Sequence, residues 1–189
     1  LSGTFPKIYY ENLGKTFIDR KDYARAATWY ERYMSVDSTH PRILANLSDC
    51  YRALGDKENL FRMLRLSVEA KSTNPGVYSN LAIEYTTRGD TTRAIELLDA
   101  ALELNPDHAI SHANLSLITL RGHRYDTSLR HAVEAIRLGM RDPVLFKNAG
   151  YASYFLADYS NAVLYLNEYL KAAPSDQNAK TLFDALERR

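Results

Sequence analysis

Five asparagines recur in the sequence at an interval of 34 residues, and their side chains are the ones best suited to bind a polypeptide. Each lies in a short cassette such as ENLG, ANLS, SNLA or KNAG. A carboxamide offers one acceptor and two donors, so it can bind the N–H and the C=O of a peptide bond whatever the peptide sequence. These candidate peptide-binding residues are Asn12, Asn46, Asn80, Asn114 and Asn148.

Other residue types give no support for catalysis. His108 and His112 are four residues apart, as in zinc-binding helices, but the segment HAISH lacks the glutamate that acts as general base, so we interpret both as ordinary surface histidines. The single cysteine, Cys50, cannot form an intrachain disulfide, and its helical position indicates packing. The sequence therefore predicts a protein that is not an enzyme and has no metal site or cofactor.

The asparagines lie within repeated helical patterns. In the clearest repeat, Leu81 and Tyr85 have the spacing of one amphipathic helix, and Ala94 and Leu98 have that of a second. Glycine followed by aspartate, as in the segment RGD at residues 88–90, can end one helix and cap the next. Each repeat is therefore predicted to contain two helices of about 13 residues joined by a tight turn.

The interval divides the chain without insertions. We predict an N-terminal leader, five repeats, and a terminal helix whose Leu182, Phe183 and Leu186 cover the last repeat. The predicted limits are 1–6 for the leader, 7–40, 41–74, 75–108, 109–142 and 143–176 for the repeats, and 177–189 for the capping helix.

Small residues recur at position 8 of the repeats, where two helices must approach closely. They are Gly14, Ser48, Ala82, Ser116 and Gly150. Together with alanines such as Ala26, Ala94 and Ala162 at position 20, this pattern resembles the tetratricopeptide repeat (TPR) family. The second repeat departs most from it, with Leu60 and Ser67 in place of alanine. The resemblance implies an all-α fold, an α-solenoid in which helix-turn-helix units form a right-handed superhelix.

The asparagines occupy position 6 of each repeat. At 100° per residue, positions 2, 6, 9 and 13 lie opposite the positions that pack against neighbouring repeats. In the TPR family the surface opposite the packing side lines a concave groove, so the resemblance implies a column of asparagines along it. This column is similar to the asparagine ladders of O-linked N-acetylglucosamine transferase and importin-alpha. The alternative is that these side chains bind a neighbouring repeat or water.

The later repeats also place apolar residues on or beside this surface. They are Ile83, Ile110, Leu117, Val144, Tyr151, Tyr154 and Phe155. Exposed apolar groups indicate an interaction site, so we predict that a partner segment binds here while its backbone contacts the asparagines. The alternative is that the capping helix or a flanking segment fills this part of the groove.

Composition restricts the class of partner. The 24 Lys and Arg residues balance 23 Asp and Glu, which gives no electrostatic basis for binding nucleic acid. The sequence contains no run of 18 apolar residues, so we predict no insertion into a membrane.

Because the chain begins at Leu1, we interpret it as a fragment or a processed product. Its compartment stays open: the cytoplasm is slightly favoured, and the bacterial periplasm fits if a signal was removed.

The sequence thus predicts a non-enzymatic scaffold that binds a protein or peptide segment in the groove. A second hypothesis is self-assembly into a homo-oligomer, in which the apolar groove or the exposed end repeats of one chain bind another copy, for example through Leu1, Phe5 and Ile8 of the N-terminal segment. A third is that the chain is the targeting domain of a larger enzyme.

Overall fold

The structure, a computed structural model, describes residues 5–188, which form eleven α-helices and no β-strand. Residues 1–4 of the predicted leader, with Leu1 of the self-assembly hypothesis, and Arg189 at the end of the predicted capping helix lie outside the described residues. The helices are α1 (Lys7–Asp19), α2 (Tyr23–Met34), α3 (Pro41–Leu54), α4 (Lys57–Glu69), α5 (Pro75–Thr87), α6 (Thr91–Leu104), α7 (Ala109–Arg121), α8 (Tyr125–Arg137), α9 (Pro143–Phe155), α10 (Tyr159–Ala172) and α11 (Gln177–Glu187).

Local sequence explains where the second helix of a repeat begins. An aspartate precedes α2, α4, α6 and α10, and its side chain accepts a hydrogen bond from the backbone N–H three residues later. Such a cap satisfies one of the free N–H groups at the helix start. Gly55 ends α3 with a φ of 71°, and Gly89 has a φ of 84° before α6. Glycine adopts this left-handed conformation without steric cost.

Close helix pairing depends on the small residue at position 8. A Cβ atom placed on Gly14 of α1 would lie 2.5 Å from the ring of Tyr30 in α2. A Cβ atom on Gly150 of α9 would lie 2.8 Å from Cγ of Leu166 in α10. Both distances are below van der Waals contact, so these helix pairs have room only for glycine.

The helices form two compact units: unit 1 extends to Glu84 and unit 2 begins at Tyr85, within α5. Each has its own buried core. Fully buried side chains of unit 1 are Tyr30, Ile43, Leu44, Leu47 and Leu64, and those of unit 2 are Leu98, Leu115, Leu145 and Leu166. Repeat positions below are counted from the predicted repeat limits.

Helix α11 packs at the end of unit 2. Ala179 and Leu186 are buried against α10, and Leu182 and Phe183 pack around them. Asp176 fixes the start of the helix, because its Oδ1 accepts from the backbone N–H of Ala179 at 3.1 Å. Its other oxygen accepts from Lys147 at 2.7 Å and from the Tyr169 hydroxyl at 2.8 Å. These hydrogen bonds, that from Lys147 first, hold the pKa of Asp176 well below its usual range.

Within residues 5–188, none of the helices combines the length and the apolar character that a bilayer crossing requires.

Candidate functional site

An open groove lies on the asparagine-bearing side of unit 1. It has a volume of about 570 Å³ and lies between the first three helices. We call it the unit 1 groove, and its lining residues are Ile8, Glu11, Asn12, Lys15, Ile18, Asp19, Tyr23, Tyr30, Arg42, Asn46 and Asp49. The structure thus places the first two of the five asparagines, Asn12 and Asn46, in one concave site.

The polar groups of the unit 1 groove are available to a guest to different degrees. Asn12 is exposed, whereas Asn46 is half-buried. Burial raises the pKa of Tyr30 to about 12, and the neighbouring Asn46 side chain opposes part of this rise. Tyr30 is only 1% exposed, so its hydroxyl belongs to the core rather than to the open groove. The two carboxamides supply both donors and acceptors to this groove.

Charges along the unit 1 groove are mixed and largely paired. Arg42 contacts Glu11 at 2.9 Å, and Asp49 at the groove contacts Arg52 at 2.7 Å. Lys15 forms no ion pair with any residue in the described part of the chain. Because exposed pairs contribute little to stability, they can exchange partners at small cost. Charge alone therefore gives this groove little selectivity.

A second cavity of unit 1 contains the third asparagine. This Asn80 pocket has a volume of about 310 Å³. Leu60, Leu64 and Ile83 line it together with Tyr51, and Arg52, Lys57, Gly55 and Glu84 complete the lining. The hydroxyl of Tyr51 donates a hydrogen bond to Glu31, so the ring of Tyr51, rather than its hydroxyl, is available to line the pocket. Burial, followed by this hydrogen bond, raises the pKa of Tyr51. An apolar wall beside a carboxamide suits an aliphatic side chain whose backbone needs a polar partner.

The two asparagines of unit 2 have different surroundings. Asn114 is half-buried. Asn148 is only 3% exposed, and its Nδ2 donates to the Ser116 hydroxyl of α7 at 3.2 Å. This contact of Asn148 agrees with the alternative interpretation, in which the asparagine side chain binds a neighbouring repeat.

The apolar candidate residues of unit 2 fall into two groups. Ile110, Val144 and Phe155 are about half exposed, at 50%, 45% and 53%. Phe155 also stacks on Tyr125 with ring centroids 4.4 Å apart. Leu117, Tyr151 and Tyr154 are half-buried, and the two tyrosines pack against a buried cluster formed by Ala162, Leu166 and Tyr169 of α10 with Ala179 and Leu186 of α11. Tyr151 and Tyr154 therefore present less apolar area to solvent than the first group.

The histidine interpretation needs correction, because His112 is not a surface residue. It is buried, and its Nδ1 lies 2.9 Å from Nδ1 of His131 in α8. Its Nε2 lies 2.9 Å from the carbonyl oxygen of Pro106, which only accepts, so Nε2 carries a proton. In the neutral pair, His131 therefore donates to His112. Burial first, and then the nearby His112, lower the pKa of His131 to about 4.

Sequence reasoning missed this histidine pair and the shape of the unit 1 cavities. The two histidines are 19 residues apart on different helices, a spacing without a local signal. Tyr30 was not a candidate, because its type and position indicate only a core residue. Among the described residues, no group of three or more His, Cys, Asp or Glu side chains could hold a metal ion.

The sequence of this chain matches a known protein family in two segments. Two segments, residues 80–143 and residues 8–40, match the tetratricopeptide repeat. Together they span about half of the chain. The chain belongs to the tetratricopeptide repeat family. A comparison with curated proteins finds no match.

Solved structures have the same fold at low sequence identity. YrrB, described as a TPR protein with an unusual peptide-binding site, is 16% identical, covers 93% of this chain and 91% of its own, and has a TM-score of 0.77. MamA is 19% identical over 87% of this chain and 90% of its own, with a TM-score of 0.76. Pseudomonas aeruginosa pilF is 17% identical over 96% of this chain and 83% of its own, with a TM-score of 0.71.

These matches confirm the predicted family and the predicted fold class, an all-α solenoid of TPR units. They also support the coarse functional prediction, because the TPR fold is typical of scaffolds for protein interactions.

Proposed function

We propose that this TPR protein is a non-enzymatic scaffold that binds an extended segment of a partner protein along its asparagine-bearing surface. The observation that carries the proposal is the unit 1 groove, where the carboxamides of Asn12 and Asn46 share one open cavity of about 570 Å³. Carboxamides bind peptide groups without regard to side-chain sequence. The mode of binding is therefore backbone recognition with modest side-chain selection.

The Asn80 pocket supplies that selection. Its aliphatic lining, which includes Leu60 and Leu64, suits one apolar side chain of the guest. Helices that pack against each other lie roughly 10 Å apart, and an extended strand rises about 3.3 Å per residue. Each successive carboxamide would thus meet about every third residue of the guest.

Unit 2 offers a more apolar surface for the same kind of guest. Ile110, Val144 and Phe155 present apolar area to solvent, and Asn114 is the carboxamide beside them that we propose binds the guest backbone. The fifth asparagine of the predicted ladder, Asn148, is bound to Ser116. We therefore propose that Asn12, Asn46 and Asn80 contact a guest in unit 1, that Asn114 contacts a guest in unit 2, and that Asn148 stabilises the stack of repeats.

A solved relative supports this class of function, because YrrB is described as having a peptide-binding site. Self-assembly into a homo-oligomer and a targeting role within a larger enzyme stay predictions.

The proposal is tested by selecting peptides from a display library of unstructured 12-residue sequences against the whole chain. The dissociation constants of the selected peptides are then measured for the wild-type chain and for a variant with Asn12→Ala, Asn46→Ala and Asn80→Ala. We expect the triple variant to bind at least about tenfold more weakly, because each lost hydrogen bond to a peptide group is worth about 1 kcal/mol.

The matched control replaces exposed asparagines of α10 and α11, with Asn167→Ala and Asn178→Ala. This control should bind the peptides as the wild-type chain does. Circular dichroism should show the same helix content for all three proteins. Equal affinity of the wild-type chain and the triple variant would refute backbone recognition by the asparagines.

A further inference from the structure

A second surface, distinct from the grooves, lies at the end of the first repeat. Phe5, Tyr9, Trp29 and Arg32 form it, and we call it the end face. Phe5 stacks on Tyr9 with ring centroids 4.6 Å apart, and Tyr9 meets Trp29 edge-on at 6.2 Å. The guanidinium of Arg32 lies over the Trp29 ring at 4.6 Å. Tryptophan, tyrosine and arginine are the residues most enriched in the energetic centres of protein interfaces.

Comparison of equivalent positions shows that the end face is a repeat junction that no helix within residues 5–188 covers. Tyr9 occupies position 3 of its repeat and is 42% exposed. The residues at position 3 of the four later repeats are at most 8% exposed. They are Ile43, Val77, Ser111 and Leu145. Among residues 5–188, no helix buries Tyr9 of the end face in the way that these four residues are buried.

The covered junctions show which kind of element fits. In them the second helix of one repeat packs on the first helix of the next: α2 on α3, α6 on α7 and α8 on α9. Met63 and Leu66 have the repeat positions of Trp29 and Arg32, and they line a cavity together with Glu31 and Met34 of α2. An amphipathic α-helix is therefore the element that this face accepts.

Charge further defines that helix. In one covered junction Glu31 of α2 shares a cavity with Arg62 of α4. In another, burial raises the pKa of Asp99 in α6, and the positive charge of Arg124 in the next repeat opposes that rise. In both junctions the covering helix carries its carboxylate at position 25 of the repeat, and an arginine of the next repeat lies in its surroundings. On the end face, Arg32 forms no ion pair with a described residue.

We propose that the end face binds an amphipathic α-helix of a partner protein, with an aliphatic stripe over Tyr9 and Trp29 and a carboxylate paired with Arg32. Symmetric pairing of two copies through this face would offer Arg32 no carboxylate, because none of the four residues that form the face is acidic. This site does not depend on the asparagine grooves, so the two proposals can fail separately.

The test uses the chain itself as a source of the probe. A synthetic peptide of residues 90–105 contains α6, which covers the equivalent surface of the fourth repeat and is rich in alanine, leucine and acidic residues. A hydrocarbon staple in place of the exposed Thr92 and Glu96 holds it helical, because an isolated helix of this length is marginal in water. The protein has a single tryptophan, Trp29, and the peptide has none. Trp29 emission therefore reports binding at the end face.

We expect a saturable change in Trp29 emission when the stapled peptide is titrated into the whole chain. The Arg32→Glu variant should bind at least about tenfold more weakly. A control peptide with Asp99→Lys and Glu103→Lys should show the reverse preference, binding Arg32→Glu better than the wild-type chain.

Three results would overturn the proposal. The first is a Trp29 emission that does not respond to the peptide, and the second is an equal response to the acidic and the lysine peptide. The third is emission that changes with protein concentration alone, together with a dimer in sedimentation that Tyr9→Lys abolishes. That result would assign the end face to a second copy of the chain. Arg32 and Tyr9 are exposed, so these variants should fold normally, which circular dichroism checks.

Discussion

The two units have the same repeat but use its asparagine in different ways. In unit 1, Asn12 is exposed and lines an open groove with Asn46. In unit 2, Asn148 is 3% exposed and is hydrogen-bonded to Ser116. One repeat position thus lines an open groove in unit 1 and makes a packing contact in unit 2.

The residue at position 8 of the preceding repeat explains part of this difference. For Asn148 that residue is Ser116, whose hydroxyl accepts the carboxamide hydrogen bond. For Asn46 it is Gly14, which has no side chain, and Asn46 lies beside Tyr30 instead. For Asn148, a neighbour one repeat away thus supplies the partner that Asn46 lacks.

The largest expected effect comes from filling the space at position 8 in either unit. Gly14→Ala and Gly150→Ala each place a methyl group within 2.8 Å of a buried side chain of the paired helix. Overpacking of this kind costs about 1–3 kcal/mol, which exceeds the roughly 0.5–1 kcal/mol gained from alanine in a helix. Hydrogen exchange should show lost protection in α1 and α2 for Gly14→Ala, and in α9 and α10 for Gly150→Ala.

Gly122→Ala is the matched control for these two variants. A Cβ atom there meets only backbone oxygens at 3.5 Å and 3.6 Å, an ordinary contact. This variant should lose no stability in thermal unfolding. If Gly150→Ala were as stable as Gly122→Ala, close pairing of α9 and α10 would not depend on glycine.

The second largest effect is a loss of stability at acid pH. We expect it in unit 2, because the histidine pair lies in that unit alone. The pKa of His131 is lowered to about 4 in the folded chain, against about 6.5 when unfolded. The unfolded chain thus binds the proton more readily, so stability is full above about pH 6.5 and falls as the pH approaches 4. We expect unit 2 to lose about 1–2 kcal/mol between pH 7.5 and pH 5.

Urea unfolding at both pH values measures this loss. His131→Gln should flatten the pH dependence, whereas His123→Gln, an exposed histidine of the same unit, should leave it in place. A steep acid loss that survives in His131→Gln would mean that other groups cause it.

The smallest effect tests the two uses of asparagine directly. Asn148→Ala removes a buried hydrogen bond and should cost about 1 kcal/mol in thermal unfolding. Asn12→Ala changes an exposed side chain and should cost nothing measurable, because exposed substitutions are usually within about 0.5 kcal/mol. Equal costs for the two variants would show that the proposed division of roles is incorrect.

The fold was predictable from sequence because each local signal agrees with the repeat. Glycine and aspartate pairs such as Gly55 and Asp56 mark the turns, and the spacing of residues such as Leu81 and Tyr85 marks the helices. Such agreement between local preference and global packing is what specifies a single fold. The family and the fold class are accordingly confirmed.

The site was only partly predictable, because burial depends on contacts between distant residues. The helical wheel places Asn148 opposite the packing side, but it contains no information about Ser116, which is 32 residues away. The His112 and His131 pair depends in the same way on how α7 packs on α8. Periodicity gives the direction of a side chain around its helix, and only three-dimensional packing gives its partner.

The central claim, that the carboxamides of the unit 1 groove and of the Asn80 pocket bind a peptide backbone, is tested most directly by NMR of the asparagine side-chain amides. The whole chain, labelled with 15N at asparagine, is titrated with a peptide selected for binding. We predict that the side-chain signals of Asn12, Asn46 and Asn80 shift with one common dissociation constant while that of Asn148 stays in place. If the chain became saturated with the peptide and those three signals did not shift, the account would be contradicted.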